Sequence, residues 1–135
     1  MPIIDHVILT VSDIEKSGTC YGWLLPLLGY GVRHDMGDFV GWFSEARERA
    51  GQIWIKKASP EGASSRFDKD SPGLCELAFS VEDRETVDAI ARDLPSHGFR
   101  VINSPAEYSY VPGYYAVFFL DPDGIKLEIV ARKRE

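Results

Sequence analysis

Residues Gly113–Val130, GYYAVFFLDPDGIKLEIV, contain two strand-like segments separated by a tight turn. The first segment, YYAVFFL, is a continuous apolar and aromatic run, which is typical of a buried strand. The residues Asp121–Gly124 predict the turn. The second segment, IKLEIV, alternates in polarity and places the carboxylate of Glu128 between Leu127 and Ile129. This acid is either a solvated residue on an open sheet face or a group directed at a site.

The same order of elements occurs twice along the chain. HVILTVSD matches ELAFSVED 70 residues later, LPLLGYGV matches LPSHGFRV 69 residues later, and QIWIKK matches IKLEIV 74 residues later. Each half reads as a strand, a helix and three further strands. Three matches in the same order indicate an internal duplication of a βαβββ unit. In this alignment Trp54 stands opposite Glu128.

The duplication predicts an α+β fold built from two tandem βαβββ modules. Module one covers residues 3–57, a polar linker containing Gly, Ser and Pro covers residues 58–73, and module two covers residues 74–131. Two curved mixed sheets, each with a helix outside, must bury their other faces, and edge to edge they form a half-open barrel with a concave pocket. Ser12, with Glu15 three residues later, predicts a capping box at the start of the first helix.

Strand alternation predicts which side chains enter this pocket. Leu127 and Ile129 suit packing against a helix, so Glu128 points to the opposite, concave face. The same alternation directs four more side chains to that face: His6, Gln52, Trp54 and Glu76. Two neighbouring carboxylates repel each other, which raises one pKa. A divalent cation held by the imidazole and the two carboxylates would remove that penalty.

These segments resemble the vicinal oxygen chelate superfamily, which includes glyoxalase I, extradiol dioxygenases and bleomycin-binding proteins. The resemblance runs from DHVILTVSDIEKSGTCYGWLLPLLGYG to GYYAVFFLDPDGIKLEIV, and the closing FFLDPDGIKLEIV is very specific for it. It implies two βαβββ modules around a divalent metal ion, here Zn²⁺, Ni²⁺, Mn²⁺ or Fe²⁺.

The resemblance also assigns positions in the metal site. His6 falls on the usual first-strand histidine, and Glu128 falls on the usual terminal glutamate. Glu76 stands where the family most often has a second histidine, and Trp54 stands where glyoxalases often have a glutamate or glutamine. The implied metal ligands are therefore His6, Glu76 and Glu128, and the chain departs from the usual pattern at two positions.

Two classes of function stay open on this basis. The first is a metal-dependent enzyme. It would be a lyase or isomerase of the lactoylglutathione lyase type, with Glu76 or Glu128 moving a proton to form an enediolate, or a ring-cleaving dioxygenase. The second is a metal-free protein of the bleomycin-resistance type that binds a planar compound against Trp54. Glu76 has a further possible role as the ion-pair partner of Lys126 or Lys56.

The segment Ser104–Tyr115, SPAEYSYVPGYY, is expected to form a loop over the pocket mouth. Tyr110 and Tyr114 would then line the substrate pocket with hydroxyls and flat rings. Cys75 precedes Glu76 and should point to the opposite face, which predicts a buried structural thiol.

The charge and length of the chain exclude several partners. A formal net charge of −6 over 135 residues argues against a nucleic-acid surface, which requires a basic patch. No segment approaches the roughly 20 apolar residues of a membrane span, and the N-terminal residues have no basic region of a signal peptide. We therefore expect a cytoplasmic protein with a small-molecule ligand. The resemblance also implies a homodimer.

Overall fold

The computed structural model describes residues 4–44 and 51–132. The chain divides into two compact units, Met1–Ser65 and Arg66–Glu135. Each unit contains one four-stranded mixed sheet and one long helix, in the order strand, helix and three strands. The predicted α+β class and the two tandem βαβββ modules are therefore confirmed.

The first unit holds five main elements. They are β1 (His6–Val11), α1 (Ile14–Leu27), β2 (Val32–Asp35), β3 (Phe39–Phe43) and β4 (Gln52–Lys57). The strand order in the sheet is β1-β4-β3-β2. Strand β1 pairs with β4 in parallel, and the other two pairs are antiparallel. A short 3₁₀ turn at Gly62–Ser64 follows β4.

The second unit repeats this topology. Its elements are β5 (Leu77–Ser80), α2 (Arg84–Asp93), β6 (Arg100–Tyr108), β7 (Tyr114–Leu120) and β8 (Lys126–Ala131), with a 3₁₀ turn at Pro95–His97 after the helix. The strand order is β5-β8-β7-β6, and the pair β5–β8 is parallel. Because β8 lies at the same place in its sheet as β4, Glu128 and Trp54 occupy equivalent strands.

The first helix begins one residue later than its capping box predicts. Asp13, in an extended conformation, is the N-cap residue, and its carboxylate accepts a hydrogen bond from the backbone N–H of Lys16 at 3.0 Å. The prediction of Ser12 as the cap was wrong, because Asp13 offers an equally good side-chain acceptor in the position that the helix uses. The helix ends one residue after Pro26, and Gly29 follows with a positive φ of 95°. Within the described residues no helix is long and apolar enough to cross a membrane.

The helices cover one face of each sheet. Leu24 and Leu25 of α1, together with Ile55 of β4, are completely buried, as are Leu127 and Ile129 of β8 in the second unit. Each such side chain contributes about 1.5–3 kcal/mol through burial of apolar surface. This arrangement confirms that Leu127 and Ile129 belong to the helix-side core, and it leaves Glu128 on the other face of its sheet.

Two local expectations were wrong. The segment Ser104–Tyr115 is not one loop, because residues up to Tyr108 continue β6 and pair with β7, with register shifts between Val101 and Ala106. The connecting turn is therefore confined to residues 109–113. Cys75 is exposed rather than buried. It lies two residues before the start of the short strand β5, so the alternation of that strand does not direct its side chain.

Candidate functional site

Glu128 lies at the centre of a polar cluster on the open face of the second sheet. The register of β8 places it opposite Phe118 of β7 and Ala78 of β5. Only 2% of the residue is exposed. The hydroxyl of Tyr114 donates a short hydrogen bond to Glu128 Oε2. Burial of a carboxylate is costly without such a partner, so Tyr114 stabilises the charged acid where it lies.

A second carboxylate, Glu76, lies beside Glu128. Lys126 Nζ is 3.5 Å from Glu76 Oε2. This contact is the ion pair with Lys126 that the sequence analysis gives as one possible role of Glu76. The same oxygen is buried and has no hydrogen-bond partner within the described part of the chain. We call the four residues Tyr114, Glu128, Glu76 and Lys126 the carboxylate cluster. It contains two acids, one cation and one neutral donor.

The close packing of these groups shifts the pKa values of Glu128 and Tyr114. Burial raises the pKa of Glu128 above its usual value, and the neighbouring Glu76 carboxylate raises it further. The hydrogen bond from Tyr114 and the charge of Lys126 act in the opposite direction. Burial and the hydrogen bond to Glu128 raise the pKa of the Tyr114 hydroxyl, so Tyr114 stays protonated at neutral pH.

Aromatic rings surround the carboxylate cluster. The ring of Tyr108 is stacked on Tyr110 at 5.5 Å and meets Phe118 edge to face at 5.4 Å, while Tyr110 meets Tyr114 at 5.2 Å. Tyr110 is 66% exposed at the tip of the β6–β7 hairpin. Of the two predicted pocket tyrosines, Tyr114 contacts the buried acid directly and Tyr110 contacts it through Tyr114. The role of Tyr108 was missed, because the hairpin register depends on the irregular pairing of β6.

The open face of the first sheet carries a cavity of about 390 Å³. Its lining is largely apolar and comprises His6, Ile8, Met36, Phe39, Gln52 and Trp54. Three of the predicted pocket residues, His6, Gln52 and Trp54, therefore meet in one cavity, as strand alternation indicates. Met36 and Phe39 were not predicted, because they belong to the β2–β3 turn and its edge.

The indole of Trp54 lies flat against the backbone of β3. Gly41 pairs with Trp54 in the sheet, and a Cβ atom at position 41 would stand 2.4 Å from the indole ring. Trp54 Nε1 donates a hydrogen bond to Gln52 Oε1 at 2.9 Å. Glycine at position 41 is thus required by this close approach. Because the indole N–H already has a hydrogen-bond partner, the Trp54 ring offers the cavity an apolar surface.

His6 is held by its neighbour in sequence. Its Nδ1 lies 2.5 Å from Asp5 Oδ1. An ionised carboxylate only accepts hydrogen bonds, so Nδ1–H is the donor in this contact and Nε2 does not take part in it. Carboxylates commonly orient metal-ligating imidazoles, and here the contact is exposed to solvent. The Asp5 contact was missed, although the adjacent Asp-His pair is visible in the sequence.

The predicted ligand set divides between the two units. Glu76 and Glu128 lie together in the second unit, and His6 lies in the first. Within the described residues of either unit, no three His, Cys, Asp or Glu side chains form a group that could hold a metal ion. The three-ligand site, which takes residues from both units, stays a prediction.

Comparison with known proteins identifies the family of the chain. The family model described as Glyoxalase/Bleomycin resistance protein/Dioxygenase superfamily matches residues 3–129. The chain belongs to this superfamily. Its members commonly use divalent metals, for which carboxylates and imidazoles are suitable ligands.

One curated protein and two solved structures illustrate the similarity. The uncharacterized protein YqjT from Bacillus subtilis (strain 168) is 32% identical over 127 residues, which cover 93% of this chain and 96% of that protein. A putative glyoxalase from Bacillus halodurans has a similar structure, with a TM-score of 0.80, 27% identity and coverage of 97% and 96% of the two chains. A glyoxalase/bleomycin resistance protein from Albidiferax ferrireducens T118 shares the fold, with a TM-score of 0.77, 24% identity and coverage of 98% and 100%.

Proposed function

We propose that this glyoxalase-like chain is a divalent-metal-dependent enzyme that acts on a small oxygen-bearing substrate. Glu76 and Glu128 would hold the metal ion, and His6 would be a further ligand. The observation that supports this proposal most strongly is the buried Glu76 Oε2 atom, which has no hydrogen-bond partner in the described residues and lies beside the buried carboxylate of Glu128. A cation satisfies such an oxygen and relieves the repulsion between the two carboxylates.

The donor chemistry of these residues fits a metal ion. Two carboxylates and an imidazole suit Zn²⁺, Mn²⁺, Fe²⁺ or Ni²⁺. Tyr114 donates its hydrogen bond to Glu128 Oε2, so the metal ion would be bound through the other oxygen of that carboxylate. The contact between Asp5 and His6 leaves Nε2 of the imidazole available in the same way. When bound, a metal ion of this kind polarises a carbonyl of the substrate as a Lewis acid.

The side chains of the cluster are suited to proton transfer. A base next to a carbonyl needs a carboxylate whose pKa is raised toward the working pH, and burial with the neighbouring Glu76 does this for Glu128. The protonated Tyr114 hydroxyl fixes the orientation of the Glu128 carboxylate. A proton removed from the carbon next to the substrate carbonyl would be held on an oxygen of Glu76 or Glu128, whichever carboxylate is partly released from the metal ion. We therefore propose lyase or isomerase chemistry ahead of ring cleavage by a dioxygenase.

Metal analysis tests this proposal. Protein purified without a histidine tag is dialysed against EDTA and then titrated with Mn²⁺ and Zn²⁺ in a calorimeter. We expect one metal ion per chain, and at least about tenfold weaker binding in Glu76→Gln, Glu128→Gln and His6→Ala. Glu107→Gln is the matched control, because this exposed acid pairs with Arg84 at 2.9 Å and lies outside the cluster. Absence of stoichiometric metal in the wild type would overturn the metal-dependent function.

A second candidate function is metal-free binding of a planar compound, as proposed for proteins of the bleomycin-resistance type. The observation that favours it is the apolar ring face of Trp54 in a cavity of about 390 Å³. A stacked ligand would lose contact area in Trp54→Ala, so we expect about tenfold weaker binding of planar aromatic compounds in EDTA. Lys57→Ala is the control, since this exposed residue of β4 does not line the cavity. Equal binding by wild type and Trp54→Ala would contradict this function.

A further inference from the structure

Lys126 lies inside the carboxylate cluster rather than at its edge. It precedes Glu128 by two residues in β8 and therefore shares its face of the sheet. Its Nζ is 3.5 Å from Glu76 Oε2, the oxygen that has no hydrogen-bond partner in the described residues. The cluster thus already contains one positive charge opposite its two acids.

Packing holds the ammonium group in this position. Lys126 Nζ lies 4.8 Å from the centre of the Phe118 ring, and Phe118 is the residue opposite Glu128 in the adjacent strand. The Lys126 side chain is only 21% exposed, unlike a lysine that extends into solvent. The aromatic ring and the carboxylate together offset the partial loss of hydration.

We propose that Lys126 is a built-in counter-cation for Glu76 and Glu128 that competes with a divalent metal ion for these carboxylates. The metal part of this inference rests on the proposed function. A metal ion bound by Glu76 Oε2 must displace the ammonium group or lie beside a like charge within a few ångströms. Both cost free energy in a partly buried site, so Lys126 lowers the metal affinity of the cluster.

Removal of this lysine tests the inference. Wild type and Lys126→Met, both stripped with EDTA, are titrated calorimetrically with Mn²⁺ and Zn²⁺. We expect Lys126→Met to bind at least about tenfold more tightly, because one repulsive charge at short range is removed. Lys126→Arg retains the charge and should not gain affinity.

Lys56→Met is the matched control for this experiment. Lys56 is a β4 lysine whose Nζ lies 5.8 Å from the centre of the Phe39 ring, so the substitution removes the same charge and a similar contact with an aromatic ring. It changes none of the four residues of the carboxylate cluster. We therefore expect the metal affinity of Lys56→Met to equal that of the wild type.

Unfolding provides a second readout that does not depend on activity. Without metal, Lys126→Met should be less stable than the wild type at neutral pH, because two neighbouring acids lose their counter-charge. Added Mn²⁺ should raise its melting temperature more than that of the wild type. If Lys126→Met fails to fold, Lys126→Gln removes the charge with a polar side chain and should show the same gain in affinity.

The outcomes separate this inference from the proposed function. Tighter binding by the neutral variants supports the inference even if the wild type binds no metal, and in that case the metal-dependent function of the natural chain is overturned. Equal binding by the wild type and the neutral variants overturns the inference and leaves the proposed function standing. Absence of binding in all of them overturns both.

Discussion

The surroundings of Glu128 in the folded chain favour its protonated form. The acid is buried, its hydroxyl partner is Tyr114, and a second carboxylate raises its pKa further. Folding therefore favours the protonated form of this group relative to the unfolded chain. Its contribution to the free energy of unfolding is fully present below the unfolded pKa of 4.5 and is lost as the pH rises through the higher folded pKa.

Glu128→Gln removes this pH-dependent contribution. In EDTA, we expect the free energy of unfolding of the variant to gain on that of the wild type as the pH rises from 4 to 8, since the amide has no charge to bury. Urea denaturation at several pH values measures this. The free energy of unfolding of Glu107→Gln, which changes an exposed acid, should depend on pH in the same way as that of the wild type. Parallel curves for Glu128→Gln would contradict the assignment of a raised pKa to Glu128.

At the scale of elements, the chain uses glycine in two different environments. Gly41 in β3 lies beneath the indole of Trp54, where a Cβ would stand 2.4 Å from the ring. Gly22 in α1 has room for a Cβ, which would lie 3.8 Å from Trp42. Gly41 is therefore needed for the close contact with Trp54. Gly22 lies within a helix, where no such contact requires a glycine.

Alanine at these two positions should have opposite effects. Gly41→Ala is expected to lower the free energy of unfolding by about 1–3 kcal/mol through overpacking. Gly22→Ala is expected to raise it by about 0.5–1 kcal/mol, because alanine favours the helix. Denaturant unfolding measures both values. The cost of Gly41→Ala should fall in a Trp54→Ala background, and an unchanged cost would show that the indole is not the cause.

The strands and their faces were predictable because their hydrophobic patterns are strong. The bounds of β4 and β7 equal the segments QIWIKK and YYAVFFL, and alternation correctly separated Leu127 and Ile129 from Glu128. The continuation of β6 to Tyr108 was not predictable, since its irregular register shifts the residues that face each side. The contact between Tyr114 and Glu128 runs diagonally across the β7–β8 pair, four residues from Phe118, the direct partner of Glu128, so sequence alternation alone did not reveal it.

At the scale of the whole molecule, the two thiols differ in accessibility. Cys20 is buried in α1, whereas Cys75 is exposed before β5. We expect one thiol per native chain to react rapidly with Ellman's reagent and two to react after denaturation in guanidinium chloride. Cys75→Ser should abolish the rapid reaction, and Cys20→Ser should preserve it. Rapid reaction of both thiols in the native wild type would contradict the burial of Cys20.

The association state is a further prediction at this scale. We expect a homodimer at micromolar concentration, on the basis of the family resemblance. Sedimentation velocity over a concentration series measures it, and the Lys56→Met and Lys126→Met variants can be run alongside the wild type. A monomer throughout the series would contradict this expectation.

The contact between Trp54 and Gly41 has a consequence for how this protein can change during evolution. A carboxylate substituted for Trp54 would restore the donor that glyoxalases often carry there, but it would leave the surface over Gly41 unfilled. Conversely, any larger residue at position 41 is tolerated only after the indole is gone. The two positions are therefore epistatic. A larger residue at position 41 can therefore follow, but not precede, the replacement of Trp54 by a smaller residue.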